Sequence, residues 1–185
     1  MHEIIELPVV LVDLQERMVV AKFQRYVCPT RNRTLSHFCT RLTGITQDVV
    51  DAAATLDVAL LELDAWLEEQ GLRNTPEHRS FAFAADGPWD LQFFLEQECT
   101  RKGIPRPAYF DKWVNLKRLF ADFYGCRPCR ITKMLERQGM RFVGRPHSGI
   151  DDSRNIARIA IRMANDGATL YINEMLPAKP KLVSL

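Results

Sequence analysis

Two short stretches of this sequence combine residue types that can do chemistry. The first is Ala85-Asp86-Gly87-Pro88-Trp89-Asp90, in which two carboxylates flank a tight-turn dipeptide and a large aromatic. The second is Arg145-Pro146-His147-Ser148-Gly149-Ile150-Asp151-Asp152, where a histidine precedes a pair of acids. A carboxylate from each stretch can hold a divalent cation while the imidazole takes a proton from water. Each acid also has an ordinary reading. Asp86 fits a turn-former, Asp90 an acid set against a helix dipole, and Asp151 or Ser148 a helix cap. A third pair, Cys126-Arg-Pro-Cys129, is too few ligands for a structural zinc, which takes four.

The elements that must position these residues follow from periodicity. Glu3 to Asp13 is nearly continuous in β-branched and aliphatic residues, which predicts a strand buried on both faces and central in a sheet. A polar turn at Asp13 to Glu16 leads to a second strand, Met18 to Val27, forming a hairpin. Thr34 or Ser36 can cap a short helix through Leu42 that ends at Gly44. Leu56, Leu60, Leu63 and Leu67 define an amphipathic helix from Thr55 to Gln70. Ser80 to Ala85 reads as a short strand. Asp86-Gly87-Pro88 then turns into a helix from Trp89 to Lys102, which places Asp90 in its first turn. Helices are expected at 115–124, 131–138 and Ile150 to Asn165, with a short strand at Ala168 to Ile172. Strands alternating with helices imply an α/β fold with a mixed sheet covered on both faces.

The 185 residues suit one domain, and the apolar and charged fractions are those of a globular protein. No apolar run is long enough to span a membrane, and no secretory signal is visible. Five irregularly spaced cysteines argue for a reducing, intracellular setting, cytoplasmic or nuclear, and against a disulfide framework. Charge is uneven. From Thr46 to Thr100 there are twelve acids against Arg73 and Arg79; from Arg101 to Arg145 there are twelve bases against Asp111, Asp122 and Glu136. The basic stretch contains Tyr109, Trp113, Phe120, Phe123 and Tyr124, a mixture suited to a phosphate backbone and equally to a solvated face over core aromatics.

Taken together, His2-Glu-Ile-Ile-Glu-Leu-Pro8, Leu35-Ser-His-Phe-Cys39, Leu42-Thr-Gly-Ile-Thr-Gln47, Asp86-Gly-Pro-Trp-Asp90 and Gly144-Arg-Pro-His-Ser-Gly-Ile-Asp-Asp-Ser153 with Asn155-Ile-Ala157 resemble the Eri-type DEDDh 3′–5′ exoribonucleases. Trp113-Val-Asn115 and Met134-Leu-Glu136 fit as well. The resemblance runs from Met1 to about Asn173. It implies an RNase H-like fold over 1–176, followed by a flexible tail over 177–185. It also implies hydrolysis at RNA 3′ ends, single-stranded or with a short overhang, using two Mg²⁺ or Mn²⁺ ions and no small-molecule cofactor. By the same resemblance Asp90 and Asp152 are metal ligands, His147 is the general base, and Phe38 and Trp89 sandwich the terminal base.

In that family an Asp-x-Glu pair lies on a central strand upstream of the stretch matched by His2 to Glu6. This sequence opens there, and Glu3 and Glu6 match other positions. The resemblance therefore implies weak metal binding, impaired hydrolysis, and a sheet lacking its first strand. It predicts either a gap or a direct pairing between the Glu3-to-Leu11 strand and Ser80 to Ala85. The alternative expectation is a non-catalytic RNA-binding or adaptor version of the same fold.

Overall fold

The structure of the chain is a computed structural model that describes residues 2–72 and 80–177. Its first unit is an antiparallel hairpin of β1 (Glu6–Asp13) and β2 (Met18–Tyr26), paired from Glu6 opposite Tyr26 to Asp13 opposite Met18 with a register shift between Leu11 and Val12. Asp13 closes the turn: its carboxylate accepts the Gln15 and Glu16 amides at 2.8 and 2.9 Å, a local Asx arrangement. Helix α1 (His37–Thr43) is capped by Ser36, whose hydroxyl accepts the Cys39 N–H at 3.1 Å, and ends at Gly44 with φ +82°. A second short helix, α2 (Gln47–Asp51), follows at a place where the apolar pattern is too brief to announce it. Helix α3 (Leu56–Glu69) buries Leu56, Ala59, Leu60, Leu63 and Leu67, the stripe expected from their spacing.

Three strands make a second sheet in the order β3-β4-β5. Here β3 (Phe83–Ala85) runs parallel to β4 (Lys112–Asn115), and β5 (Glu174–Met175) runs antiparallel to β4. Between β3 and β4 the chain passes through a wide π-type helical segment, Trp89–Leu95, and then α4 (Glu96–Lys102). After β4 come α5 (Leu116–Phe123), α6 (Ile131–Arg137) and the long α7 (Gly149–Asn165).

The core has two parts. Phe23, Leu56, Leu63, Leu95, Phe110 and Trp113 centre one cluster, built on β2, α3 and the segment leading into α4. Leu116, Phe120, Met134, Leu135, Ile159 and Met163 centre the other, built on α5, α6 and α7. Helix α7 lies along β1 and also meets α5, α6 and β3. Among the described residues no helix is long and apolar enough to cross a membrane.

Several expectations need correction. β1 starts at Glu6 rather than Glu3, because Ile4 donates its amide to the Glu98 carboxylate (2.6 Å) instead of a strand. β1 is partly exposed along its whole length and pairs, among the described residues, with β2 alone, so it is not central. β1 and β3 lie in separate sheets, which is the gap rather than the direct pairing. β3 is only three residues long. The strand expected at Ala168 to Ile172 does not form; Glu174–Met175 pairs with β4 in its place, fixed by Glu174 accepting the Trp113 indole N–H at 3.0 Å. Apart from Pro177, the expected tail lies outside the described residues.

Candidate active site

β3 ends at Ala85, and the chain turns through Asp86 and a buried Gly87 at φ +111°. The following helix opens with π-type turns, a geometry that occurs often at functional sites. Leu91 and Leu95 anchor it in the core, which leaves Trp89 and Asp90 on the outer face of its first turn. The Trp89 ring rests on Phe93, with centroids 4.7 Å apart, and remains 59% exposed.

The second half of the site is the start of α7. The Asp152 N–H donates to Ser148 O at 2.8 Å, which fixes the first turn. His147, exposed and one residue before the cap, adopts φ +68°. That conformation is unfavourable for a residue with a Cβ and turns the His147 amide onto the Asp152 carboxylate.

The two halves feel one another's charge. Burial pushes the Asp152 carboxyl up to about 6; the His147 amide and imidazole oppose this, while the charges of Asp90 and Asp151 add to it. Burial likewise pushes Asp86 up to about 6, against the pull of Lys117 and with the charges of Asp90 and Asp152 reinforcing it. Asp90 keeps solvent contact, yet the surrounding chain desolvates its carboxyl and raises it, with Lys117 again opposing. Lys117 Nζ stands 3.4 Å from Asp86 Oδ1, an ion pair without hydrogen-bond alignment, and that oxygen has no hydrogen-bond partner. The structure thus brings Asp86, Asp90, Asp152, His147 and Lys117 into one electrostatic neighbourhood.

Carboxylates such as these three are the donor type that a hard divalent cation prefers, and Asp86 Oδ1 has no hydrogen-bond partner. Among the described residues, however, no three His, Cys, Asp or Glu side chains converge closely enough to hold a metal. Glu3 and Glu6 do not join the cluster, because both are engaged elsewhere. Glu6 Oε2 and Oε1 accept the Gly149 and Ile150 amides at 2.9 and 3.2 Å, capping α7 where the Ser148 side chain makes no capping bond. Glu3 accepts the Thr30, Arg31 and Asn32 amides and pairs with Lys102 at 2.7 Å.

Phe38 projects from α1, 65% exposed. It makes no ring contact with Trp89 among the described residues, so neither ring is held by the other. Cys126 and Cys129 are free thiols at the edge of the second core cluster. Sequence reasoning treated Asp86 as a turn-former and passed over Lys117 and the capping role of Glu6. The one signal for Glu6 was a lone carboxylate inside an apolar strand; Lys117 had none.

With this geometry in hand, the comparisons with known proteins are specific. The model of the Exonuclease family matches residues 1–160. The chain is 42% identical over 178 residues to the 3′-5′ exoribonuclease 1 of Mus musculus, covering 95% of this chain and 51% of that protein. It spans about half the length of such curated relatives. Among solved structures it resembles the nuclease domain of 3′hExo, a DEDDh family member, bound to rAMP, with a TM-score of 0.90 and 42% identity over 95% of this chain and 87% of that one. A 3′-exonuclease described in 3′-end specific recognition of a histone mRNA stem-loop matches with a TM-score of 0.91 and 41% identity, covering 96% and 78% of the two chains.

Proposed function

This chain belongs to the exonuclease family of the DEDDh 3′–5′ exoribonucleases, and on that premise we propose that it takes RNA 3′ ends into the site described above and hydrolyses the terminal phosphodiester. The observation that carries the reading is the shared field of Asp90 and Asp152, some sixty residues apart in the chain, with His147 beside them. Asp90 and Asp152 would hold Mg²⁺ or Mn²⁺, with Asp86 behind them. Such a cation, when bound, makes an attacking water acidic and steadies charge on the leaving 3′-oxygen. His147 takes the proton of that water on a ring nitrogen. Its backbone amide meanwhile stays on Asp152, so the proton acceptor and the metal ligand move as one unit. Trp89 and Phe38 stack the terminal base, which gives affinity without sequence preference.

A second reading, RNA binding without cleavage, is favoured by one observation: no three metal-ligating side chains converge among the described residues. One experiment separates the two. The chain is mixed with end-labelled single-stranded RNA, with and without Mn²⁺. Shortening from the 3′ end that needs Mn²⁺, Asp152 and His147 supports the nuclease reading. Retention without shortening, weakened by about 1–3 kcal/mol in Trp89→Ala, supports the binding reading. Neither shortening nor binding would sink both.

A further inference from the structure

Arg145 stands outside the acid cluster yet touches both walls of the site. Its own N–H donates to Asp151 Oδ2 at 3.0 Å and its carbonyl accepts the Ser148 N–H at 3.2 Å, so it belongs to the tight loop that carries His147. Asp151 is in turn held by Arg154 at 2.7 Å. The Arg145 guanidinium crosses to the other wall, where Nη2 donates to the carbonyl of Arg41 near the end of α1, the helix that bears Phe38. A cation suits a helix C-terminus because it meets free carbonyls and the negative end of the dipole.

Gly44 lies against this crossing, and Gly144 against the Asp151 carboxylate that holds the Arg145 amide. Gly44, the C-cap of α1, has φ +82°, and a Cβ there would collide with the Arg145 guanidinium. Gly144 has φ +90°, and a Cβ there would run into the Asp151 carboxylate. Helix α1 buries no side chain fully, and only Cys39, Thr40 and Thr43 are half-buried, so packing fixes its orientation less firmly than that of the Trp89 wall, which Leu91 and Leu95 pin.

We propose that Arg145 is a positioning residue: by gripping the end of α1 it sets where the Phe38 ring stands relative to His147 and Trp89, and so sets the width of the slot for the terminal base. This rests on the reading of Phe38 and His147 given under the proposed function. Arg145 is exposed, so its replacement should leave the melting temperature nearly unchanged.

The test is a double-mutant cycle on this chain, read by fluorescence anisotropy with a short single-stranded oligoadenylate bearing a free 3′-hydroxyl. No divalent metal is added, so that cleavage does not intrude. Arg145→Ala should weaken binding about fivefold, the size of one hydrogen bond, and that loss should disappear in a Phe38→Ala background. Arg145→Lys should recover part of it, since an ammonium can still reach one carbonyl. The dependence of affinity on salt should stay the same. The inference is overturned if Arg145→Ala has no effect, or if the loss is equal with and without Phe38. A salt slope shallower by about 0.7 would also overturn it, since that marks a direct phosphate contact instead. If the unaltered chain does not bind the oligonucleotide at all, the base-binding reading itself falls, and this inference with it.

Discussion

At the scale of single residues the site is a place where burial and charge oppose each other. Asp86 and Asp152 sit at about 6 against an ordinary 3.8, burial being the main cause in both. The folded chain therefore holds these protons more tightly than the unfolded chain does. The contribution of these groups to stability is largest below about pH 4 and declines as pH rises through 6. A divalent cation competes for the same oxygens, so its affinity should fall as pH drops through 6. Two outcomes are expected from Asp152→Asn: a higher melting temperature of the metal-free protein near pH 7, and clearly weaker Mn²⁺ binding. Thermal melts and calorimetric titrations at pH 5.5 and 7.5 measure both. Mn²⁺ affinity indifferent to pH and to Asp152 would place the metal elsewhere. Glu3 goes the other way. Burial pushes it up, but hydrogen bonds from Asn32, Lys102, Arg31 and Thr30 outweigh burial and hold it at about 2. Its contribution is present above about 4.5 and is lost as pH falls towards 2.

At the scale of elements, the site depends on charged groups that tie one element to the next. Lys102 at the end of α4 pairs with Glu98 (2.6 Å) and Glu3 (2.7 Å), and Glu98, 1% exposed, also holds the Ile4 amide. Lys102→Ala would strand Glu98 in the interior without its cation, and should cost about 3–5 kcal/mol in urea unfolding. A loss under 1 kcal/mol would mean that water reaches Glu98 and that the network is incidental. Such ties explain what was legible in the sequence and what was not. The hairpin, α3 and α7 were readable because their apolar residues repeat at the period of the element. Asp90, His147 and Asp152 each have an ordinary local reading as turn, cap or surface residues, and only the family resemblance groups them. The π-type turns at Trp89, the two-residue β5 and the capping of α7 by Glu6 were not readable. The last two depend on partners about 60 and 143 residues away, which no local pattern encodes; the π-type turns leave no mark in the apolar spacing.

At the scale of the molecule, the strands of the described residues form two sheets rather than one. They are joined by the first core cluster, which takes Phe23 from β2 and Ala85 and Trp113 from β3 and β4, and by helix α7, which runs along β1 and also meets α5, α6 and β3. The two core clusters should therefore unfold together, while the edge of β1 that pairs with no other strand among the described residues opens locally. Hydrogen exchange followed by mass spectrometry should show the peptide covering β1 exchanging well before peptides from α3 and from the middle of α7. Equal protection of all three would show that the edge of β1 is covered in solution. The same architecture locates the site. Asp86 and Asp90 follow the end of β3, Asp152 begins the bridging helix, and Glu6 on β1 caps that helix.

The left-handed backbone at His147 has a consequence for how this chain tolerates change. Glycine would occupy that conformation freely, whereas a residue with a Cβ carries a steric cost of about 1–2 kcal/mol there, even though histidine is among those that meet it more often than most. A search for thermostable variants, blind to chemistry, would be drawn to replace the residue assigned the proton. Under the proposed function, stability and proton transfer make opposite demands on this one position, and the histidine stands there at the expense of the first.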